Sequence, residues 1–233
     1  MGHLSYNLDV QKVRFTTEDG WEIAGNYYPV EKKDAPAVVL LHMMPETKES
    51  WKSFALELVK NGFQCLAVDL RGHGESQGGP AGSKSFTDAQ HIATISDVFS
   101  SVEFFIDKGV PVEKISLVGA SIGANLSLLF QSENPKIKAS VLLSPGLNYR
   151  GVETEHAAKK IRGDQFVFMV AGGSNDEYST ETVKKLSEII ESDGKIVKIF
   201  QEGGHGTEIL GDEPGLSGEI ISWLNNIYFK NHV

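Results

Sequence analysis

A serine stands between two glycines at the point where a buried strand is predicted to turn into a helix. The pentapeptide is Gly119-Ala120-Ser121-Ile122-Gly123, with an apolar run at residues 115–118 before it and a helix-like stretch at 125–131 after it. Glycines suit such a turn because strand and helix approach too closely for side chains, and the serine is forced into a strained conformation. A serine at such an apex is typical of a nucleophile, although this short pattern alone has low specificity.

A serine hydroxyl is a weak nucleophile at neutral pH and needs a neighbouring base, which in turn needs a group to orient it. Two later loops carry such groups. Asp176 and Glu177 follow an apolar strand predicted at 166–170, and His205 lies in a glycine-rich stretch after a strand predicted at 195–200. A serine, a carboxylate and a histidine therefore each follow a predicted strand. Together these three loops indicate nucleophilic catalysis.

The elements that must position these loops alternate between strand and helix. The sequence predicts strands at residues 10–16, 21–28, 37–41, 63–68, 115–118, 139–143, 166–170 and 195–200. It predicts helices at residues 50–60, 88–108, 125–131, 155–161, 180–191 and 216–229. In the helix at 88–108, Ile92 and Phe99 are assigned to the buried side.

This order predicts an α/β fold: a doubly wound, mostly parallel sheet that begins with an antiparallel amino-terminal hairpin. In such sheets ligands bind outside the carboxyl ends of the strands, which is where the three loops lie. The 144–164 interval is too short for a helical cap domain, so we expect no large cap domain and an open, shallow site.

Composition narrows the class of protein. The 233 residues, 40% of them hydrophobic, suit a single domain spanning 1–233, and the formal net charge of -9 argues against a nucleic-acid partner. The lone cysteine, Cys65, lies in an apolar run and is expected in the core. No signal peptide is recognisable in residues 1–7 and no apolar run is long enough to span a membrane, so we expect a soluble, cytoplasmic protein without membrane contacts.

The stretch Asp69-Leu70-Arg71-Gly72-His73-Gly74-Glu75-Ser76 resembles the D-x-R-G-x-G-x-S loop of many α/β-hydrolases. The pentapeptide around Ser121 and the Gly204-His205-Gly206 loop match their expected places, and the chain order Ser, Asp, His is that of this superfamily. Within it, the chain is similar to small dienelactone-hydrolase-like and prolyl-oligopeptidase-type esterases. Two departures stand out: His42-Met43-Met44 replaces the usual H-G-x, and Ser121 stands where dienelactone hydrolases proper have cysteine.

The resemblance implies roles for residues of this chain. Ser121 is the nucleophile, His205 the general base, and Asp176, preferred over Glu177, the orienting acid. The oxyanion hole is expected to use the backbone N–H of Ile122 and that of Met44, with Met43 as the rival.

The remaining candidates have weaker support. Met43, Tyr149 and Tyr178 are candidate pocket walls. His42 and His73 are expected to shape loops, Asp69 is expected to anchor its own loop, and an Asp69–Arg71 ion pair is an open alternative. The remaining histidines (His3, His91, His156 and His232) lie in no motif, and no cluster has metal-ligand spacing, so no metal or organic cofactor is expected.

These observations predict a capless carboxylesterase acting on a small or exposed ester. The same triad acting on thioester, lactone, amide or peptide bonds is an alternative, as is a perhydrolase. A binding protein built on a hydrolase fold is a third alternative, from a different class. The sequence leaves the oligomeric state open.

Overall fold

The computed structural model describes residues 10–229; the amino-terminal segment searched for a signal peptide, His3 and His232 lie outside that range. An eight-stranded sheet forms the centre, in the order β1-β2-β4-β3-β5-β6-β9-β10. Its strands are β1 (Gln11–Thr16), β2 (Glu22–Tyr28), β3 (Ala37–Leu41), β4 (Gln64–Val68), β5 (Ile115–Ala120), β6 (Ala139–Leu143), β9 (Phe166–Ala171) and β10 (Lys195–Ile199). Two short strands, β7 (Asn148–Tyr149) and β8 (Val152–Glu153), pair as a separate hairpin.

The sheet has the predicted mixture of directions. β1 pairs antiparallel with β2, and β2 antiparallel with β4, whereas the pairs from β4 through β10 are all parallel. The apolar strand β3 lies near the middle and is fully buried. Its side chains alternate: Val38 and Leu40 join one core cluster, and Val39 and Leu41 join another on the opposite face. This explains why β3 has no polar positions.

Helices cover both faces of the sheet. They are α1 (Lys52–Lys60), α2 (Asp88–Ile92), α3 (Ile95–Asp107), α4 (Ile122–Glu133), α5 (Glu155–Ala158), α6 (Glu177–Ile189), α7 (Ile209–Asp212) and α8 (Leu216–Tyr228). α1 and α8 pack on the face that holds Val38, and α3, α4 and α6 pack on the other face. Among the helices within residues 10–229, none combines the length and apolar character needed to cross a membrane.

The single helix predicted at 88–108 is wrong, because the chain forms α2 and α3 separately. Thr94, which precedes α3, has ψ −12° and interrupts the regular helix. α2 packs beside the β7–β8 hairpin, where the Ile92 side chain lies close to Gly151, whereas α3 packs on the sheet. The apolar period runs through both helices, but Ile92 and Phe99 are 43% and 42% exposed. The ends of the other predicted helices agree with the structure to within three residues, as is common at helix termini.

Asp69 anchors the loop after β4, as expected. Its carboxylate accepts hydrogen bonds from the backbone N–H of Lys48 and of Glu75, each at 2.8 Å, and from the Lys48 ammonium at 2.6 Å. Lys48 is nearly fully buried and also pairs with Glu75 at 2.8 Å. Burial lowers the pKa of Lys48, but hydrogen bonds with Asp69 and Glu75 outweigh it, so the pKa is raised overall. The ammonium therefore stays charged inside the protein.

The Asp69–Arg71 pair is not formed. Arg71 instead binds buried Asp97 on α3, with a side-chain contact of 2.7 Å, and Asp19 in the β1–β2 turn at 2.5 Å. The Asp69 carboxylate pairs with the Lys48 ammonium instead. The Arg71 guanidinium pairs with the two carboxylates of α3 and of the β1–β2 turn.

We expect Lys48→Met to lower the free energy of unfolding by roughly 3 kcal/mol, because it leaves the fully buried Asp69 carboxylate without its cation. Urea denaturation measures the change. Lys52→Met is the matched control: Lys52 is exposed and forms no ion pair within residues 10–229, so its variant should stay within about 0.5 kcal/mol of wild type. Equal stability of the two variants would contradict the structural role of this cluster.

Candidate active site

Ser121 occupies a tight turn between β5 and α4, in the strained conformation that the pentapeptide predicts. Its φ is 53° and its ψ is −118°. A Cβ built on Gly119 would lie 2.1 Å from the carbonyl oxygen of Gly123, and one on Gly123 would lie 2.3 Å from that of Leu41. Neither position accepts a side chain, which confirms the reason for glycine on both sides of the serine. The turn thus presents Ser121 at the carboxyl end of the sheet, beside the end of β3.

Asp176 and His205 come together on the loops after β9 and β10. Asp176 Oδ1 lies 2.8 Å from His205 Nδ1, and the carboxylate is 7% exposed. The neighbouring Glu177 is exposed and begins α6. Burial raises the pKa of Asp176, but hydrogen bonds from His205, Ser144 and Ser179 outweigh burial and hold it below its usual range. Asp176 is therefore an ionised acceptor, so Nδ1 of His205 carries a proton and Nε2 is left as the basic nitrogen.

Ser144 lies between the loops of Asp176 and His205 and was missed by sequence reasoning. Its hydroxyl accepts a hydrogen bond from the backbone N–H of Gly206 at 2.8 Å, and the Ser144 hydroxyl contributes to the lowered pKa of Asp176. Its φ is 52°, an uncommon value for a residue other than glycine. The available signal was its position directly after β6, at the same sheet edge as the other loops.

The loop of His205 lies against the turn that holds Ser121. A Cβ built on Gly206 would lie 3.4 Å from the Cβ of Ala120, the residue before the serine. No direct hydrogen bond joins Ser121 to His205 within the described part of the chain. Such bonds are often long in ligand-free sites and tighten when substrate binds.

Tyr149 contacts both sides of this site. Its ring is 6.3 Å from that of His205, and its hydroxyl is 3.1 Å from Ser179 Oγ. Burial raises the pKa of Tyr149, whereas hydrogen bonds with Ser179 and Ser121 act in the opposite direction. The hydroxyl therefore stays protonated and lies next to the proposed nucleophile, consistent with the predicted pocket wall.

The two other predicted wall residues have different surroundings. Met43 is 7% exposed, and its side chain packs against Gly206, so it lies between the core and the loop of His205. Tyr178 is 48% exposed, and its hydroxyl accepts a hydrogen bond from the backbone N–H of Asn148. Its ring lies 5.6 Å from that of Tyr149, so Tyr178 holds Tyr149 in place from the solvent side.

The glycine-free loop after β3 is held by His42. The backbone N–H of Leu70 donates to Nε2 of His42 at 3.0 Å, so the ring proton lies on Nδ1, which donates to the carbonyl of Met43 at 2.9 Å. Burial, assisted by nearby His73, lowers the pKa of His42 to about 4. A neutral, buried imidazole thus fixes the backbone of Met43. The second oxyanion donor, Met44 or Met43, stays a prediction.

His73 is the other histidine expected to shape a loop, and it does so. Its Nδ1 lies 3.1 Å from the carbonyl of Arg71, and its Nε2 lies 3.0 Å from the Ser83 hydroxyl.

Within residues 10–229, no group of three or more His, Cys, Asp or Glu residues is arranged to hold a metal ion.

The parallel sheet, the strained serine turn and the carboxylate–imidazole pair at the sheet's carboxyl edge define an α/β-hydrolase. The family model described as "Serine aminopeptidase, S33" matches residues 32–164, more than half of the chain, and the chain belongs to this family.

Curated relatives carry several names. "Epoxide hydrolase 3" of Siraitia grosvenorii is 37% identical over 157 residues, which cover 65% of this chain and 47% of that protein. "Thiohydrolase aneE" of Aspergillus aculeatus is 34% identical over 112 residues, covering 47% of this chain and 33% of that protein. The chain thus spans less than half the length of these relatives.

Solved structures match over nearly the whole chain. The Pyrococcus furiosus esterase Pf2001 has a TM-score of 0.73 at 18% identity, covering 94% of this chain and 93% of that one. The α/β hydrolase GrgF from Penicillium sp. has a TM-score of 0.79 at 16% identity, covering 95% and 99%. At such identities the likeness shows the fold.

Proposed function

We propose that this protein is a serine hydrolase that cleaves carboxylic esters through an acyl-enzyme on Ser121. The observation that carries the proposal is the 2.8 Å bond between Asp176 and His205, on loops packed against the strained serine turn. The three groups provide a nucleophile, a base and an orienting carboxylate, the minimum set for acyl transfer by serine.

The reaction follows from these positions. Nε2 of His205 takes the proton as Ser121 Oγ attacks the ester carbonyl, and Asp176 stabilises the imidazolium that forms. The backbone N–H of Ile122, together with that of Met44 or Met43, receives the negative oxygen of the tetrahedral intermediate. The alcohol then leaves with the proton from His205. Water, deprotonated by His205, attacks the acyl-enzyme and releases the acid.

A serine nucleophile favours ester cleavage over epoxide opening, which is the activity in the names of several relatives. Attack of Ser121 on an epoxide carbon would leave an alkyl ether on the enzyme. An ether has no carbonyl for water to attack, so the nucleophile would not be regenerated. Attack on an ester leaves an acyl group, which water can remove.

A thioester is the second candidate substrate, because one relative is named a thiohydrolase. It gives the same acyl-enzyme, with a thiol as the leaving group.

The short β7–β8 hairpin and α5 are the elements between β6 and β9, which supports an open site for small or exposed substrates.

The test is a matched butyryl series: para-nitrophenyl butyrate, a butyryl thioester, a lactone, and the corresponding anilide, with peracid formation measured in parallel. We expect the oxygen ester to show the highest kcat/KM and a fluorophosphonate probe to label Ser121, as mapped by peptide mass spectrometry. If the thioester, lactone, anilide or peracid reaction were faster, that reaction would replace ester hydrolysis as the proposed activity. Absence of both turnover and labelling would favour the binding-protein alternative.

A further inference from the structure

A cavity of about 240 Å³ opens beside the loop that is proposed to supply the oxyanion donor. Met44 and Pro45 of that loop line one side, His73 and Ser83 contribute to its wall, and Lys84 and Arg150 provide its charges. Arg150 follows Tyr149, whose ring lies 6.3 Å from that of His205. Through Met44 and Arg150 the cavity therefore borders the loop after β3 on one side and the residue that follows Tyr149 on the other.

The charge of this cavity is opposite to that of the whole protein. Lys84 and Arg150 form no ion pair with any residue in the range 10–229, and no carboxylate lines the cavity, although the chain carries a formal net charge of -9. Asp88 packs close to Gly151 and is a carboxylate of the surroundings, but it is not part of the lining. Lys84 and Arg150 are both exposed, so they stand at the rim of the cavity, where two cations without a carboxylate partner favour an anionic ligand.

The backbone of Arg150 provides independent support. Arg150 and Gly151 form the two-residue connection between β7 and β8, with φ of 53° and 83°. Such connections favour asparagine, aspartate or glycine at both positions, because positive φ strains larger side chains. An arginine held there at this cost directs a guanidinium toward the cavity, and strain of this kind commonly marks functional positions.

The hydrogen bonds of the wall indicate which anion fits. Nδ1 of His73 donates to the Arg71 carbonyl, so Nε2 accepts the proton of the Ser83 hydroxyl. That hydroxyl therefore offers lone pairs to the cavity. The side-chain donors that remain are Lys84, Arg150 and the ring of His91, which also lines the cavity, and a guanidinium can pair with an anion through two parallel hydrogen bonds. Because the Ser83 hydroxyl presents lone pairs rather than a proton, the wall suits a singly charged carboxylate better than a doubly charged phosphate, which carries more oxygens in need of donors.

We propose that this cavity binds a carboxylate group of the substrate, through Arg150 and Lys84, while Ser121 attacks the substrate's ester carbonyl. The natural substrate class is thus an ester that also carries a free carboxylate. The inference rests on the proposed function, because it places the cavity beside an acyl-transfer site.

The test compares substrate pairs that differ in one charge. Meta-acetoxybenzoate and meta-acetoxybenzamide place the group on the alcohol side, and para-nitrophenyl monoesters of adipate and adipamate place it on the acyl side. We expect wild type to favour the carboxylate in one pair by about tenfold in kcat/KM. Arg150→Asn, which suits a positive φ, and Lys84→Gln should each reduce that ratio several-fold, as should high salt.

Lys60→Gln is the matched control, since Lys60 is exposed, forms no ion pair within the described residues, and lies outside the cavity lining; it should keep the wild-type ratio. Equal rates within both pairs, or a ratio that survives both cavity variants, would overturn the proposal. A stronger preference for meta-acetoxyphenyl phosphate would overturn the choice of carboxylate.

A binding measurement separates this inference from the proposed function. Calorimetry compares meta-acetamidobenzoate with meta-acetamidobenzamide on wild type and on Arg150→Asn. Tighter binding of the carboxylate that is lost in Arg150→Asn supports the subsite even if no ester is hydrolysed. Equal binding of the two probes to wild type overturns the subsite even if esters are hydrolysed at Ser121.

Discussion

Ser121→Ala is expected to lower kcat for para-nitrophenyl butyrate by a factor of about 10⁶, because no acyl-enzyme can form on alanine. The variant keeps the Cβ and the tight turn, so its thermal unfolding should match that of wild type. It should also lose labelling by a fluorophosphonate probe. Ester turnover and covalent labelling are two independent measurements of the reactivity of Ser121 Oγ.

The matched control is Ser53→Ala, since Ser53 is an exposed serine of α1 and takes no part in the contacts described for Ser121, Asp176 and His205. It should keep full activity and labelling. Hydrolysis by Ser121→Ala at the wild-type rate would show that another group is the nucleophile. Loss of activity together with a large loss of thermal stability would point to a folding defect. In that case the labelling experiment decides: if the variant is still labelled by the fluorophosphonate, the labelled nucleophile is not Ser121.

Asp176→Asn is expected to lower kcat by about 10⁴-fold while leaving the fold intact. The asparagine amide can donate to Nδ1 of His205, which would shift the ring proton to Nε2 and leave that nitrogen unable to accept the serine proton. The pKa of Asp176 is held below its usual range, so the carboxylate stays ionised over the working pH range. The acid limb of the wild-type pH–rate profile should therefore not arise from Asp176.

Glu177→Gln is the matched control for this second prediction, because it removes the neighbouring carboxylate, which is exposed. Its kcat should stay close to that of wild type. If Glu177→Gln proved the more damaging variant, the orienting role would belong to Glu177, the alternative left open by the sequence.

Much of the fold could be predicted because its signals are local. The uninterrupted apolar run of β3 and the alternation in β1 each identify a strand without knowledge of its partners. The turn at Ser121 was predictable for a similar reason, since its glycines are required by contacts within a few residues and with the neighbouring strand. The superfamily resemblance then ordered the loops around the sheet.

Other features depend on contacts between distant segments and leave no local signal. The separation of α2 from α3 is hidden because the apolar period continues through Thr94. Arg71 pairs with Asp97 and Asp19, which lie 26 and 52 positions away, and the sequence does not distinguish them from Asp69. Ser144 and Arg150 are inconspicuous as residue types; their positive φ values reveal them only in the structure.

Burial of His42 links the loop after β3 to proton uptake by the unfolded chain. An unfolded histidine binds a proton near pH 6.5, but in the native state burial lowers the pKa of His42 to about 4. The contribution of His42 to stability is therefore complete above pH 6.5 and is lost progressively as the pH falls toward 4. The stability of this protein in acid is thus reduced by an imidazole that lies outside the proposed catalytic triad.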